Sequence, residues 1–344
     1  MLSLRYAFIS AYLKAQESKL VTPDHMDRLL SAHTMRDALA TVRETDVGSY
    51  LEEAPIDTFD DLEEYLWSYL ARSYAYIESL KLLPQDMLRI LSAYIVKYDV
   101  LNIKAALETV RTGKKARMIP VGVISKNGLL HELSIAESVD EVIQLLVRCG
   151  LKDYVPVLEQ ARTGEGPESK LPVEAGLDSE YYRKMLDAAR RTKDGAVLTR
   201  ALGLIIDLTN LQIVSRAIIE GIGPDAAQCT IAGGYRLTDH VIKELLAFKL
   251  TDLPDRLGDG QYQEIASEMS GHYDRTRSIT AVDEVIDKHK LRMLRDLLSP
   301  RVLSPLVMAW YLVFKEVETR NLRLALKTMI DGVPITEIKS YLVS

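Results

Sequence analysis

Cysteine is nearly absent from this chain, which has only Cys149 and Cys229 among its 344 residues and no CxxC pair. Two isolated cysteines do not support a disulfide framework, and the missing CxxC spacing does not support a zinc knuckle. Free thiols are typical of a reducing cytoplasm. The sequence therefore predicts two free, buried cysteines in a cytoplasmic protein.

Long uncharged apolar segments are also missing. A membrane-spanning helix needs about 20 predominantly apolar residues, and no window approaches that length without a charge. Residues 1–20 carry Arg5 inside an apolar stretch and lack a small-residue cleavage site, which favours an amphipathic helix over a signal peptide. We expect any membrane association to be made through a partner.

Positive charge is not in excess, because 43 Lys and Arg stand against 49 Asp and Glu, for a formal net charge of −6. The basic residues are scattered, whereas a nucleic-acid backbone requires a basic surface. Catalytic motifs are missing too: no GxxxxGKS/T loop, GxSxG elbow or HExxH pair occurs. We expect no nucleic-acid binding, no catalytic residue, no metal and no cofactor.

Alternating β-branched residues are rare, and residues 121–125 (VGVIS) form the only strand-like segment. Elsewhere the apolar residues recur at helical spacing. The six histidines are dispersed, and we expect them to be surface or packing residues: His25, His33, His131, His240, His272 and His289. The sequence predicts an all-α fold.

One short phrase is present three times: an acidic residue, two residues, Asn, then Ile or Leu. Its copies are Asp99–Asn102–Ile103, Asp207–Asn210–Leu211 and Glu318–Asn321–Leu322. The asparagines lie 108 and 111 residues apart, and eleven residues after each comes a glycine, at Gly113, Gly221 and Gly332. A period near 110 residues predicts one helical domain repeated three times, each with a long helix that ends at its glycine.

Looser elements follow the same period. Helices are predicted to begin within residues 20–32, 129–136 and 237–247, the first with a Thr cap followed by Pro. Each is followed by a tyrosine, at Tyr50, Tyr154 and Tyr262. Glycine and proline in segments 113–128 and 221–234 suggest breaks. We predict domains at 1–120, 121–230 and 231–344, with residues 163–172 as a surface loop.

Each acid and its Asn lie one turn apart on the same helix face. In one interpretation the six side chains satisfy buried backbone groups and fix helix packing, because buried polar atoms are costly unless paired. In the other, they line a shared socket on a pseudo-threefold axis. The six residues are Asp99, Asn102, Asp207, Asn210, Glu318 and Asn321.

Two further clusters have alternative interpretations. Asp60, Asp61 and Glu64 resemble the DDxxE string with which all-α enzymes hold Mg²⁺ on an isoprenoid diphosphate, but the second acidic motif of such enzymes is missing. They fit better as the acidic first turn of a helix capped by Thr58 or Asp57. A basic cluster ends the first long helix, where it forms a solvated cap or contacts an acidic partner loop or lipid headgroup: Arg111, Lys114, Lys115 and Arg117.

Set together, YDVLNIKAALE, IDLTNLQIVSRAI and KEVETRNLRLALK resemble the thrice-repeated signature of the C subunit of archaeal and bacterial A/V-type rotary ATPases, which is homologous to the d subunit of the eukaryotic vacuolar enzyme. The resemblance extends to Pro120 and Gly122 after the first copy and to the terminal GVPITEIKSYL. The second copy departs by having Ser215 where the others have Leu107 and Leu326.

The resemblance implies a funnel of three similar helical domains with pseudo-threefold symmetry. One end would rest on the membrane ring of proteolipid subunits, and the open end would receive the foot of the central shaft. The resemblance also implies a noncatalytic subunit that carries torque between ion transport and ATP synthesis or hydrolysis. Such a subunit is peripheral, at the cytoplasmic face of the cell membrane, and is held there by its partners.

Overall fold

The computed structural model describes residues 2–48, 56, 58–163, 170–332 and 342. Sixteen α-helices lie in these residues: α1 Leu2–Glu17, α2 Pro23–Ser31, α3 Met35–Val42, α4 Phe59–Glu78, α5 Gln85–Thr112, α6 Val123–Lys126, α7 Leu130–Ser134, α8 Val139–Arg148, α9 Val155–Thr163, α10 Lys170–Arg190, α11 Gly195–Glu220, α12 Asp239–Leu245, α13 Leu253–Arg256, α14 Gln261–Thr276, α15 Thr280–Leu298 and α16 Leu306–Asp331. Short 3₁₀ turns lie at Lys152–Tyr154, Pro224–Cys229 and Leu250–Asp252.

The predicted all-α fold is confirmed, since no strand occurs in the part of the chain that the structure describes. The strand-like segment forms no strand: its residues 123–125 lie in α6, whose first two N–H groups bind the Asp99 carboxylate. One local prediction was partly wrong. Residues 170–172 of the predicted loop form the first turn of α10, whereas residues 164–169 lie outside the described residues.

The chain divides into two compact units. Unit 1 takes in residues 1–92, 192–194 and 298–344, and unit 2 takes in residues 93–191 and 195–297. In unit 1, helix α16 packs on α4, α1 and α3. Its core joins both ends of the sequence, because Leu322 and Leu326 of α16 pack with Leu29, Leu62 and Leu66.

Unit 2 has a core centred on α11, which packs against α10 and α12. The cluster combines Leu208, Leu211 and Val214 of α11 with Ile265 of α14 and Ile286 of α15. By length and composition alone, α11 could cross a membrane, but 61% of its apolar window is buried inside the protein. That burial is what a core helix shows, and the apolar composition of α11 is explained by packing.

The three long helices that bear the repeated phrase are α5, α11 and α16. They end at Thr112, Glu220 and Asp331, one residue before the three glycines. Gly113, Gly221 and Gly332 have φ of 69°, 70° and 66°, the left-handed conformation in which glycine has no steric penalty. The predicted helix ends are confirmed at all three copies.

The predicted N-terminal helices are confirmed as well, together with their caps. The Thr22 hydroxyl accepts from the His25 backbone N–H and Pro23 is the first residue of α2. Thr58 caps α4, and helices α7 and α12 lie where the second and third leucine-led helices were predicted. Cys149 is buried and Cys229 half-buried, both as free thiols.

Helix α1 departs from the predicted amphipathic pattern. Tyr6, Ile9 and Leu13 are buried, as expected for the inner face. The outer face is also apolar, because Leu4 is 78% exposed and Phe8 is 53% exposed. A helix that is apolar on both faces is normally covered on both. The exposure of Leu4 and Phe8 on the outer face of α1 is therefore unusual for a helix of this composition.

Substitution of Gly221 tests the left-handed helix end. A Cβ at this position would meet no atom within 4 Å, so Gly221→Ala changes only the backbone preference. We expect the free energy of unfolding, measured by denaturant titration, to fall by about 1 to 2 kcal/mol. Gly221→Asn should cost less, because Asn tolerates this conformation. Equal stability of Gly221→Ala and the wild-type protein would contradict the left-handed assignment.

Candidate functional site

In the first copy of the phrase, Asp99 and Asn102 of α5 bind the backbone of the segment that follows the helix. The Asp99 carboxylate accepts from the backbone N–H groups of Val123 at 2.7 Å and Ile124 at 2.8 Å. The Asn102 side chain accepts from Ile119 N–H at 2.7 Å and donates to Ile119 C=O at 2.9 Å. Both side chains are buried. The pair fixes residues 119–124 against α5.

The second copy repeats this arrangement. Asp207 of α11 accepts from the backbone N–H of Arg236 at 2.7 Å and of Leu237 at 3.0 Å. Asn210 is fully buried and forms the same two bonds, both 2.8 Å long, with the N–H and C=O of Ile231. The acid and the asparagine of α11 therefore bind the segment before α12 in the same way as those of α5 bind the segment before α6.

The third copy uses a distant segment. Glu318 of α16 accepts from the backbone N–H of Val21 at 2.8 Å, although the two residues lie 297 positions apart in the sequence. Glu318 and Asn321 are both buried. Val21 stands directly before the N-cap of α2. The third long helix therefore holds the segment that leads into the first leucine-led helix.

Glycines allow the close approach in the first two copies. A Cβ at Gly122 would lie 2.4 Å from Asp99 Oδ1, and a Cβ at Gly234 would lie 2.1 Å from Asp207 Oδ1. The third copy has Leu20 before its donor and a glutamate instead of an aspartate. The glutamate side chain is longer than that of aspartate by one methylene, and in this copy it binds Val21 N–H with no glycine directly before the donor.

A buried lysine distinguishes the third copy. Lys315 is completely buried three residues before Glu318, where the other copies have Val96 and Leu204. Its Nζ lies 3.3 Å from Glu318 Oε2 and 3.2 Å from Asp46 Oδ2, and it also contacts the hydroxyl of Tyr69. Two carboxylates and a tyrosine surround the charge, which makes burial of the lysine tolerable.

Burial shifts the titration of these groups. It raises the pKa of Asp99 to about 6, against the opposing effect of the two backbone N–H bonds. The pKa of Glu318 is also raised by burial, although the Lys315 charge acts in the opposite direction. Burial and the bond to Asp207 raise the pKa of Tyr262. In all three groups the largest cause of the shift in pKa is desolvation by burial.

The predicted tyrosines differ between copies. The Tyr262 hydroxyl donates to Asp207 Oδ2 at 2.5 Å. The Tyr154 hydroxyl is buried without a hydrogen-bond partner, and its pKa is raised by burial and by the nearby Asp99 and Glu180 charges. Tyr50 lies outside the described residues. Tyr262 completes the polar contacts of Asp207, and sequence analysis had marked it only by its spacing.

The other two predicted clusters lie apart from the pairs. The carboxylate of Asp61 accepts from the Thr58 N–H at 2.9 Å and from the Thr58 hydroxyl at 2.7 Å, so the capping interpretation is confirmed. No group of three His, Cys, Asp or Glu suited to a metal occurs within the described residues. Lys114, Lys115 and Arg117 are exposed. Arg111 is exposed too, and its ion pair with Glu108 at 2.5 Å raises its pKa.

The sequence pattern did not mark Gly122 and Gly234 as contacts of the acids, and it did not indicate the buried network around Lys315. One signal for this network was available in the sequence. Lys315 stands one turn before the acid, at a position that is apolar in the other two copies. Asp46 and Tyr69 had no signal, because neither is part of the repeated phrase. Their place beside Lys315 is decided by the packing of α4 on α16.

Comparison with known proteins gives one family. The model of the ATP synthase (C/AC39) subunit family matches residues 9–341. The chain is similar to the C subunit of the A-type ATP synthase of Methanocaldococcus jannaschii, at 26% identity over 98% of this chain and 86% of that protein. The same named protein of Methanothermobacter thermautotrophicus is 25% identical over 98% and 87%. That of Archaeoglobus fulgidus is 24% identical over 98% and 96%.

Replacing Asn210 with leucine tests the structural contribution of a pair. Asn210→Leu leaves the N–H and C=O of Ile231 buried without partners, so we expect unfolding to require about 1 to 3 kcal/mol less free energy. Asn127→Leu is the matched control, because Asn127 is an exposed amide that bonds a single backbone carbonyl; it should change stability by about 0.5 kcal/mol or less. An unchanged melting temperature for Asn210→Leu would refute the burial of the pair.

A glycine comparison tests the close approach to Asp99. Gly122→Ala and Gly260→Ala both place alanine in nearly the same glycine-only backbone conformation, with φ of 109° and 112°, but only at position 122 does the Cβ meet the carboxylate. We expect Gly122→Ala to lower stability by about 1 to 3 kcal/mol more than Gly260→Ala in denaturant unfolding. In an Asp99→Ala background this difference should shrink. Equal losses for the two alanines would show that Asp99 does not pack against residue 122.

Proposed function

The chain belongs to the ATP synthase (C/AC39) subunit family, and on that premise we propose that it is a noncatalytic central-stalk subunit of an A/V-type ATP synthase or ATPase. It couples the rotor shaft to the proteolipid ring, and so links ion transport to ATP synthesis or hydrolysis. Its partners are the shaft subunits and the ring. It is peripheral to the membrane, at the cytoplasmic face.

The observation that carries this proposal is the repeated buried pair on three long helices. The helices are 28, 26 and 26 residues long, which corresponds to roughly 40 Å each. Each is joined by side-chain bonds to the backbone of another segment. A part that transmits torque must not bend at its connections, and bonds from a helix face to a neighbouring backbone remove that freedom.

The triplication into modules at 1–120, 121–230 and 231–344 is part of the same proposal, as is their arrangement as a funnel with pseudo-threefold symmetry. The bond between Glu318 and Val21 supports a closed set of modules. It completes the third pair with the first segment of the chain. In the proposed arrangement the modules surround a central hollow that receives the foot of the shaft.

The noncatalytic assignment is supported by the hydrogen bonds and ion pairs that the acidic residues make. Each acid of the repeated phrase is buried and bound to backbone N–H groups or to Lys315. The Asp61 carboxylate is occupied by the cap of α4. Acidic residues engaged in this way are not free to hold Mg²⁺ on a diphosphate, so the enzyme alternative gains no support from the described residues.

Removal and restoration of the chain test the coupling. A complex purified through a tag on this chain should contain both shaft subunits and proteolipid ring. Stripped of the chain, it should continue to hydrolyse ATP but lose ATP-driven ion uptake in vesicles, and added chain should restore the uptake. With Asn210→Leu added back, we expect fewer ions to be taken up per ATP hydrolysed than with the wild-type chain, because the middle module of this variant is less stable. Asn127→Leu should restore the ion uptake fully.

Two results would count against the proposal. Recovery of the tagged chain without shaft or ring would remove it from the rotor. Loss of ATP hydrolysis together with the chain, and its return on addition of the chain, would point to chemistry in this protein.

A further inference from the structure

A second polar contact recurs at the same period as the buried pairs. Two residues after each asparagine of the phrase, a side chain of the long helix reaches an acidic residue on another helix. The three bridges are Lys104–Asp178 from α5 to α10 at 2.6 Å, Gln212–Asp283 from α11 to α15 at 2.5 Å, and Arg323–Glu63 from α16 to α4. We call the packing of a long helix on its bridged helix, and on the segment that its phrase binds, a junction.

The bridges identify corresponding positions on the three bridged helices. Six residues after the bridged acid, α4 has Tyr69, α10 has Lys184 and α15 has His289. Lys184 pairs with Asp153 at 2.9 Å, and His289 pairs with Glu268 at 2.7 Å. The junctions of α5 and α11 therefore have a basic side chain at the position where the junction of α16 has a hydroxyl.

An acidic residue also distinguishes the junction of α16. Asp46 stands four residues before the tyrosine of its copy, and the same spacing gives Gly150 and Gly258 in the other two copies. Asp46 Oδ2 lies 3.2 Å from the Nζ of Lys315. Of the three junctions, the one that buries a lysine is thus the one with a carboxylate at this position.

Apolar packing does not distinguish the three long helices. The residue after the asparagine is Ile103, Leu211 or Leu322, and each of the three is 0% exposed. Hydrophobic attraction is non-directional, and cores tolerate the exchange of apolar side chains of similar volume. The differences that matter between the junctions are therefore polar.

A long helix other than α16 would not match the site in unit 1. It would bring Val96 or Leu204 to the place of Lys315. The carboxylate and hydroxyl oxygens around that place would lose their cation. An aspartate would also have to reach Val21 N–H, although no glycine precedes this donor.

The reverse exchange is also unfavourable. At the junction of α5 or α11, the buried Lys315 would lie beside Lys184 or His289 and would meet a glycine in place of Asp46. A buried charge without an opposite partner is costly. Each mismatch raises the free energy of a wrong arrangement, and such penalties give specificity among similar partners.

We propose that Lys315, Asp46 and Tyr69 select α16, and not α5 or α11, as the helix that packs on α4. Repeated modules are prone to wrong assembly during folding, and all three long helices carry the same phrase. The risk is greatest at this junction, because Glu318 and Val21 lie 297 positions apart. This selection acts during folding of the chain itself, and so goes beyond the proposed rotor function.

Thiol cross-linking after refolding tests the selection in the full chain. Cys149→Ser and Cys229→Ser remove the native thiols. Glu63→Cys is then combined with Arg323→Cys, which reports α16 on α4, or with Gln212→Cys, which reports α11 in its place. After refolding from denaturant at low concentration, a short bismaleimide should cross-link the first pair almost completely and the second hardly at all.

A neutral variant separates selection from stability. Lys315→Leu with Glu318→Gln leaves no buried charge on α16, so we expect a melting temperature close to that of the wild-type chain. The ratio of native to wrong cross-linking should nevertheless fall about fivefold or more. Thr328→Val is the matched control, because this buried hydroxyl of α16 bonds carbonyl oxygens of its own helix; it should leave the ratio unchanged.

A second variant tests the selection without any change to α16. Leu204→Lys gives α11 the same lysine, and we expect it to raise the wrong cross-linking because α11 then competes for Asp46 and Tyr69.

Three outcomes would overturn the selection: an unchanged ratio in the neutral variant, no rise in wrong cross-linking with Leu204→Lys, or an equal fall in the Thr328→Val control. None of these measurements involves the shaft, the ring or ATP. The selection and the proposed rotor function can therefore fail independently.

Discussion

A backbone segment buried beside a long helix must find partners for its N–H and C=O groups, and in this protein the helix side chains supply them. Asp99 and Asp207 each accept two backbone N–H bonds. The neighbouring asparagines each pair with both polar groups of one residue. An unpaired buried polar group costs about 1 to 3 kcal/mol. The same bonds that satisfy the segment also fix its register on the helix.

The third pair connects the two ends of the chain, and its side chains differ from those of the other two pairs. Glu318 replaces aspartate, no glycine precedes its donor, and Lys315 enters where the other copies are apolar. Buried ion pairs recover their desolvation cost only when their geometry is good and every partner is present. The Lys315 network is therefore specific to one packing of α16 on α4, and it makes this junction unlike the other two. Unequal junctions are compatible with the proposed binding of an asymmetric shaft.

Polar residues lie inside and apolar residues lie outside at the places where this protein is most distinctive. The repeated acids are withdrawn from solvent, so they serve the internal structure. The outer face of α1 exposes leucine and phenylalanine instead. The proposed rotor function requires a stiff interior, and the bonding of the pairs supports that requirement.

Sequence alone determined the helical class, the three long helices and their ends, because helical periodicity and glycine at a left-handed position act over a few residues. The repeated phrase also identified the six polar side chains. Tertiary structure decided what those side chains bind, that residues 123–125 are helical, and that the outer face of α1 is exposed. Val21 lies 297 residues from Glu318, and no local pattern encodes a contact between segments so far apart in the chain.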